Sequence, residues 1–391
     1  MLSVEENKKC SGCFACEEVC PIKCIEMLEN EDGFLYPKID KTKCINCKKC
    51  EKICPTLNVT QKENEEAIQA FAAINTLEDI RLQSSSGGLF YLFAGKILKD
   101  GGVVFGAAFD NNFEVAHTFV EDLNKLSIFQ GSKYVQSKVG NAYTQVKKFL
   151  QDGRTVLFTG TPCQIGGLLA FLERPYDNLI TQDIICHGVP SPKVWRQYIR
   201  HRKSKANGSD IEKISFREKS GGWKKFSVVF SFYNDTEYRC VLHKDPWMQI
   251  FLKNLCLRPS CYDCAFKTKK RQADITLADF WGIQNILPEM DDDKGTSLLI
   301  LHTKKAKRLF EEINERVRYA EVSLEQALKY NSSMISSVKM PKQRKKFLNG
   351  INEHNFEKYS KKFCRPTLRI FLSRIKGRIA QKLKALTNKK N

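Results

Sequence analysis

The sequence predicts an α+β protein with a small cysteine-rich domain, a mixed α/β domain and a basic helical tail. Nine of the 16 cysteines lie within the first 54 residues. Strand-like and helix-like apolar patterns alternate in the middle of the chain, which is typical of a parallel sheet with helices on it. From Lys339 onward, 17 lysines and arginines face only two acidic residues. We expect domains at 1–60 and 66–315, separated by a polar linker near 57–67, and a helical extension at 316–391.

Composition narrows the possible classes of protein. A length of 391 residues indicates two or three domains, and no apolar run is long enough to cross a bilayer. The first residues resemble no export signal, so we expect a cytoplasmic protein whose cysteines bind metal rather than form disulfides. The net charge of +20 suits nucleic acid, an anionic membrane surface or an acidic partner. Charge alone does not choose among the three.

Two cysteine runs share one spacing, C-x2-C-x2-C-x3-C-P. They are CSGCFACEEVCP at 10–21 and CINCKKCEKICP at 44–55, and each cysteine of the second run follows its counterpart by 34 residues. This spacing is typical of bacterial two-cluster ferredoxins, in which the fourth cysteine of each run ligates the other run's [4Fe-4S] cluster. The expected ligands are therefore Cys10, Cys13, Cys16 and Cys54 for cluster one, and Cys44, Cys47, Cys50 and Cys20 for cluster two.

The repeat predicts two pseudo-symmetric halves in a dicluster ferredoxin-like domain. Zinc is the alternative metal, but structural zinc sites use paired Cys-x2-4-Cys knuckles rather than runs of four. Cys24 lies outside the pattern, and we interpret it as a small buried side chain rather than a ligand.

The segment SSSGGLFYLFAGKILKDGG opens a predicted helix whose apolar residues recur at helical spacing. Free backbone amides at a helix start favour anions, so Ser86, Gly87 and Gly88 form a candidate site for a nucleotide or flavin phosphate. An ordinary capped helix explains the same residues equally well.

Further cysteines follow in the predicted strand, helix, strand unit at 155–188. Cys163 lies at the helix start and Cys186 at the carboxyl end of the next strand, the edge where parallel sheets usually bind ligands. After a predicted antiparallel meander, Cys261 and Cys264 form a Cys-x-x-Cys pair, preceded by Cys256. The residues alone leave a zinc site, a redox dithiol and a third cluster open.

Several stretches together resemble one family over about residues 8–310. With the amino-terminal cysteine runs, the stretches SSSGGLF, GTPCQIGGL, DIICHGVPS, RPSCYDCAFK and ADITLADFWG are similar to the coenzyme F420 hydrogenase/dehydrogenase beta subunit family. The resemblance implies a flavoprotein with FAD and a [4Fe-4S] cluster in its main domain. It also implies electron exchange with a deazaflavin coenzyme, and many bacterial relatives act in polysaccharide biosynthesis. No stretch resembles a hydrogenase nickel site.

The resemblance also assigns residues. The ligands of the third cluster fall on Cys163, Cys186, Cys261 and Cys264, with Cys256 as a fifth candidate. The flavin side falls on Ser86, Gly87 and Gly88 and on the loop Gly131, Ser132, Lys133 and Tyr134. We interpret His187 as a structural residue and Asp274 and Asp279 as strand and turn caps.

The expected function is an iron–sulfur flavoprotein oxidoreductase, in which clusters carry single electrons and a flavin exchanges pairs with a deazaflavin or another two-electron partner. The alternative is a non-catalytic electron-transfer subunit or adaptor that binds no flavin. An electron-transfer protein is a further expected partner.

The basic tail contains a possible amphipathic helix. Its apolar stripe comprises Leu368, Leu372, Ile375, Ile379, Leu383 and Leu386. Such a helix suits the anionic inner face of a membrane, or packs against its own domain. Because the basic residues are concentrated in a tail without a nucleic-acid-binding motif, we expect no nucleic-acid partner.

Overall fold

The fold is taken from a computed structural model that describes residues 8–58 and 68–364. Its strands are β1 Ile25–Glu29, β2 Leu35–Ile39, β3 Gln69–Asn75, β4 Val103–Phe109, β5 Val115–Val120, β6 Val156–Gly160, β7 Leu179–Ile184, β8 Ile211–Glu218, β9 Ser227–Phe232, β10 Glu237–Val241, β11 Ile275–Asp279, β12 Ser297–Leu301 and β13 Val317–Val322. Its helices are α1 Ala15–Glu18, α2 Lys49–Lys52, α3 Glu78–Gln83, α4 Leu89–Lys99, α5 Ala142–Gln151, α6 Pro162–Leu172, α7 Pro192–Lys205, α8 Pro246–Leu252, α9 Lys304–Glu311, α10 Leu324–Leu328, α11 Arg344–Gly350 and α12 Phe356–Cys364.

The amino-terminal domain is a two-fold repeat, as the 34-residue offset predicts. An antiparallel hairpin of β1 and β2 separates the two cysteine runs. Helices α1 and α2 occupy equivalent places in the two runs, and each follows a residue in the left-handed region, Phe14 at φ 68° and Lys48 at φ 58°. The amides of Cys20 and Cys54 donate to the carbonyls of Glu17 and Glu51, which are also 34 residues apart.

The main domain is built on an eight-stranded sheet in the order β13-β3-β12-β11-β7-β6-β4-β5. The four central strands β11, β7, β6 and β4 are parallel, and the outer pairings are antiparallel. The predicted strand, helix, strand unit is β6, α6 and β7. Parallel pairing places the carboxyl ends of β6 and β7 at one edge of the sheet.

Helices cover both faces of this sheet. One face packs against α4, whose residues Leu89, Phe93, Ile97 and Leu98 are buried as the helical spacing predicts. The other face packs against α5 and α6 in a core that also contains Cys13 and Phe14. The amino-terminal domain therefore shares an apolar core with the main domain.

The predicted meander is the antiparallel sheet β10-β9-β8, which packs beside α7 and α8. Strand β13 pairs with β3, so the main sheet extends beyond residue 315. The helices α10, α11 and α12 follow, and the α+β class with a small amino-terminal domain and carboxy-terminal helices is confirmed. The domain boundaries themselves stay predictions.

Two expectations concern residues 59–67 and 365–391, which lie outside the described residues. They are most of the polar linker and the amphipathic stripe from Leu368 to Leu386. Within the described part of the chain, no helix has the length and apolar character needed to span a membrane.

Candidate functional site

The eight cysteines of the two runs border two separate cavities. One cavity, the cluster-one site, is lined by Cys10, Cys13, Cys16 and Cys54, and the other, the cluster-two site, is lined by Cys20, Cys44, Cys47 and Cys50. Each site thus takes three cysteines from one run and the last cysteine from the other, which is the crossed grouping that the spacing predicts. Ligation itself stays a prediction.

The chemistry of these thiols fits iron–sulfur ligation. Burial raises the pKa of Cys13 to about 12 and that of Cys16 well above its ordinary value, and the neighbouring cysteines raise both further. Without metal these thiols stay protonated, so metal binding must displace their protons. Backbone amides donate to the sulfurs, Gly12 to Cys10 and Cys24 to Cys20, each at 3.4 Å, as is usual around such clusters.

Cys24 is buried, as predicted, but it also borders the cluster-two site. Its Sγ lies 3.5 Å from Cys20 Sγ, and its side chain is in the small apolar group around Cys20 and Ile25. The sequence pattern missed this contact because four-residue spacing from a ligand carries no ferredoxin signature. Cys24 therefore contacts a predicted cluster-two ligand.

The third cysteine site lies at the carboxyl edge of the central sheet. Cys163 is in the first turn of α6, Cys186 follows the end of β7, and Cys261 and Cys264 belong to the 3-10 turn Pro259–Asp263 and its end. All four line one cavity of about 250 Å³. The structure thus brings together the four cysteines that the family resemblance assigns.

Cys256 lies apart from this cavity. It is fully buried in the core between α7, α8 and the small antiparallel sheet. Its carbonyl accepts the amide of Ser191, and burial raises the pKa of its thiol to about 12. The structure therefore gives Cys256 a packing role.

Positive groups surround the third cysteine site. Lys267 donates to the carbonyl of Cys186, and Arg271 pairs with Asp183 at 3.3 Å while its Nε and Nη2 have no hydrogen-bond partner among the described residues. Burial raises the pKa of Cys186, and Lys267 and Arg271 oppose that rise. These cations fit a buried anionic centre.

The four cysteines of the third cysteine site share a cavity, which bears on the metal they suit. Within residues 8–58 and 68–364, no group of three or more His, Cys, Asp or Glu side chains is arranged around a single metal ion. A mononuclear zinc site needs ligands close together, about 2.3 Å from the metal. A [4Fe-4S] cluster holds its cysteine ligands farther apart than a single zinc ion does, and metal analysis of the protein distinguishes the two.

The cluster-one site and the third cysteine site are neighbours. Ser11 and Thr56 line both cavities. A Cβ at Gly167 on α6 would lie 2.8 Å from Cys13 Cβ, so Cys13 packs directly on the helix that begins with Cys163. The two sites therefore adjoin across the domain contact.

The Ser-Gly-Gly turn is mostly bonded within the protein. Ser86 Oγ donates to the Thr296 carbonyl at 2.8 Å, and the Gly87 amide donates to Ser297 Oγ at 2.9 Å. Gly88 has φ 84° and caps the start of α4. The Gly87 amide is thus engaged, and packing alone requires this glycine, since a Cβ would lie 2.4 Å from the Ala73 carbonyl.

The predicted flavin loop 131–134 lies against the same turn. Ser132 Oγ donates to Ser85 Oγ at 2.8 Å, and Gly131 has φ 79°. Lys133 donates to the carbonyls of Gln130 and Gly131, and burial lowers its pKa to about 7. The two segments that the resemblance assigns to the flavin therefore meet.

Buried donors without partners lie beside this loop. Gln130 Nε2 and the Nε and Nη2 atoms of Arg217 are buried and have no hydrogen-bond partner among the described residues. The remaining Arg217 nitrogen, Nη1, pairs with Asp279 Oδ2, and Tyr134 lies beside the same guanidinium. Since unpartnered buried donors are costly, this region fits a ligand that carries acceptors, as a flavin does.

Two other sequence interpretations concern single polar residues. His187 Nε2 donates to Asn254 Oδ1 at 2.6 Å, and His187 also lines the cavity of the third cysteine site. Asp274 accepts from the amide and hydroxyl of Thr181, both at 2.8 Å, and so joins β7 to β11. Asp279, by contrast, carries the ion pair with Arg217 rather than a simple cap.

Two parts of the chain match two different family models. Residues 153–327 match the family model for the carboxy-terminal part of the coenzyme F420 hydrogenase/dehydrogenase beta subunit, and residues 9–58 match the 4Fe-4S dicluster domain. The predicted family resemblance is confirmed. The chain therefore combines a 4Fe-4S dicluster domain with a region similar to the carboxy-terminal part of F420 hydrogenase beta subunits.

Among solved structures, the F420-reducing [NiFe] hydrogenase complex from Methanosarcina barkeri, in its xenon derivative, has a chain with 14% identity and a TM-score of 0.46. The similarity covers 75% of this chain and 90% of that chain. No curated protein matches this chain.

The crossed grouping predicts a specific pattern of iron loss. Cys13→Ala and Cys54→Ala should each remove about four irons, and the double variant should remove no more, because both residues serve one cluster. Cys13→Ala with Cys20→Ala should remove about eight. Iron analysis of anaerobically purified protein measures these losses. A loss of about eight irons in Cys13→Ala with Cys54→Ala, and of about four in Cys13→Ala with Cys20→Ala, would show uncrossed ligation.

The third cysteine site predicts a second pattern. Cys261→Ala should remove about four irons, separate from the irons of the two amino-terminal clusters, and one EPR signal. The reason is that the remaining three thiols hold a cubane poorly. Cys256→Ala, in the same segment, is the matched control and should keep that iron. Zinc in the wild-type protein, or iron loss from the control alone, would contradict this assignment.

Proposed function

We propose that the protein is a flavin-dependent iron–sulfur oxidoreductase that connects a two-electron partner with a one-electron carrier protein. A flavin exchanges electrons in pairs or singly, whereas each [4Fe-4S] cluster carries one, so the two cofactor types together supply this conversion. The chain's own residues position the sites, exclude water and set the local charge.

The observation that carries the proposal is the serial order of the sites. Tyr134, in the predicted flavin loop, packs on Phe251 at 5.0 Å between ring centroids, and Phe251 packs on His187 at 5.1 Å. His187 lines the third cysteine site, which shares Ser11 and Thr56 with the cluster-one site. The cluster-two site completes the order, because each run supplies ligand positions to both amino-terminal sites.

A non-catalytic adaptor is the second candidate, and the engaged Gly87 amide favours it, since that amide offers nothing to a phosphate. The unpartnered donors of Gln130 and Arg217 favour the flavoprotein. Detection of bound FAD in the purified protein would distinguish the flavoprotein from the adaptor. A deazaflavin of the F420 type is our proposed two-electron partner, and a role in polysaccharide biosynthesis is a further proposal from the family resemblance.

Protein purified without oxygen should contain about twelve irons and one flavin per chain, and reduced deazaflavin coenzyme should reduce its flavin. Gln130→Leu should weaken FAD binding about tenfold, roughly 1.4 kcal/mol, because one hydrogen bond to the ligand is lost. The free energy of unfolding of the flavin-free protein should not fall, since Nε2 has no partner there among the described residues.

The matched control is Gln197→Leu on α7, a glutamine whose Oε1 is also buried without a partner in the described part of the chain. It should leave FAD affinity unchanged in a fluorescence titration. Absence of flavin with about twelve irons present would favour the adaptor. Turnover with reduced ferredoxin or nicotinamides but not with deazaflavin would reassign the substrate and keep the flavoprotein.

The cluster-two site is the proposed docking place for the carrier protein. Cys47 is exposed, and Ile45 and Ile22 beside it are 63% and 37% exposed. Lys48 and Lys49 line this site, and the same segment carries the further exposed lysines Lys41, Lys43 and Lys52 against the acidic Asp40 and Glu51. This charge suits an acidic one-electron carrier of the ferredoxin or flavodoxin type.

Reversing the charge of this rim should slow electron exchange. Lys48→Glu with Lys49→Glu should lower the bimolecular rate with an acidic ferredoxin about tenfold at low ionic strength and flatten its salt dependence. Lys99→Glu with Lys125→Glu, at exposed positions of the main domain, changes net charge equally and should have little effect. Stopped-flow absorbance measures both.

Equal slowing by the two pairs would mean that only net charge matters, and an unchanged rate for Lys48→Glu with Lys49→Glu would exclude this surface. Dimers that dissociate in that variant would assign the patch to a second copy of the chain instead.

A further inference from the structure

Arg258 connects the third cysteine site with the cluster-one site. Its backbone immediately precedes the 3-10 turn Pro259–Asp263, and its carbonyl accepts the amide of Cys261 at 2.9 Å. Its side chain leaves this turn and crosses into the amino-terminal domain. Arg258 thus belongs by its backbone to one site and by its guanidinium to the other.

The guanidinium holds the first residues of the dicluster domain. Nε donates to the Cys10 carbonyl at 2.7 Å, and Nη2 donates to the Leu35 carbonyl at 2.9 Å and lies 3.5 Å from Cys10 Sγ. Nη1 donates to Gln136 Oε1 at 3.1 Å. The ring of Tyr36 stacks 4.3 Å from the guanidinium carbon.

The backbone of the amino-terminal run is shaped to admit this side chain. Gly12 has φ 68°, and a Cβ there would lie 2.7 Å from Arg258 Nη1. A glycine between the first two cluster cysteines therefore leaves room for the guanidinium. This close approach makes the position of Cys10 depend on Arg258.

The charge of Arg258 has no carboxylate partner in the described residues. Arg258 is 0% exposed, and its hydrogen-bond acceptors are two carbonyls, one amide and one sulfur. Other buried arginines pair with acids, as Arg271 does with Asp183 and Arg217 with Asp279. A buried charge needs a counter-charge, and the nearest candidate is the anionic centre that Cys10 would ligate.

We propose that Arg258 is a positioning residue for cluster one: it fixes Cys10 and raises the reduction potential of that cluster through its charge and its contact with Cys10 Sγ. Reduction adds one electron, and so one negative charge, which a nearby buried cation stabilises. Net charge and hydrogen bonds to the sulfurs are known determinants of cluster potential. The inference rests on the dicluster part of the proposed function and not on the flavin or the substrate.

The test is an anaerobic redox titration followed by EPR. The signal lost in Cys13→Ala identifies cluster one. In Arg258→Gln, the equilibrium between reduced and oxidised cluster one should shift at least tenfold toward the oxidised form, about 59 mV for one electron. The signal of cluster two, identified by Cys20→Ala, should keep its potential.

Arg344→Gln is the matched control. Arg344 is also buried, donates to the Leu257 carbonyl through Nε and Nη2, and pairs with Asp32 at 2.9 Å. It neighbours Arg258 in space, but its bonds reach no cluster cysteine among the described residues. Its loss should lower stability and leave the potential of cluster one unchanged.

Arg258→Lys keeps the charge and loses the contact with Sγ, so its shift should have the same direction and a smaller size. If Arg258→Gln loses iron, Arg258→Lys decides: a lowered potential supports the inference and an unchanged one overturns it. An unchanged potential in iron-replete Arg258→Gln also overturns it. Failure of the flavin proposal would instead appear as wild-type protein without flavin, with this titration unaffected.

Discussion

The contact of two glycines with their neighbours sets the spacing of the redox sites. Helix α6 begins with Pro162 and Cys163 and carries Gly166 and Gly167 one turn later. A Cβ at Gly167 would lie 2.8 Å from Cys13 Cβ, and one at Gly166 would lie 2.6 Å from the ring of Phe266. Because electron transfer weakens steeply with distance, this close packing would let the amino-terminal domain and the third cysteine site act as a single path in the proposed function.

The proposed anionic clusters would also account for where some of the buried cations lie. The chain has a net charge of +20, yet the charges that matter for the sites are few. Arg258 is next to Cys10, and Lys267 and Arg271 are next to Cys186. Arg271 also pairs with Asp183, whereas Arg258 has no carboxylate partner among the described residues and would be unfavourable in a neutral interior. The placement of Arg258 therefore fits an anionic centre at the cluster-one site, independently of cysteine spacing.

The grouping of the cysteines around three cavities could be anticipated from the sequence, because it is either local or follows from sheet topology. The eight amino-terminal cysteines form a spacing that one loop can wrap around a cubane. Cys163 and Cys186 were placed together by the rule that parallel strands end at one edge. Cys256 stayed undecided because its distance along the chain from Cys261 does not tell which way its side chain packs.

Other features could not be predicted from the chain alone. Arg258 contacts Cys10, which lies 248 positions away, and one arginine in a sequence with many gives no signal. The Ser-Gly-Gly turn predicts free amides by local rules, but Ser297 from a distant strand accepts from Gly87. Strand β13 joins the sheet through a non-local pairing with β3, which no periodicity reveals.

The difference in exposure between the two amino-terminal sites accounts for the repeated run of cysteines. Cys13 is buried against α6, so a partner protein cannot approach the cluster-one site closely from that side. Cys47 is exposed on the opposite half of the pseudo-symmetric domain. A single cluster would be either near the third cysteine site or near the surface. The predicted crossed ligation would tie the two halves together, so duplication of the run would extend the proposed path from the interior to the solvent.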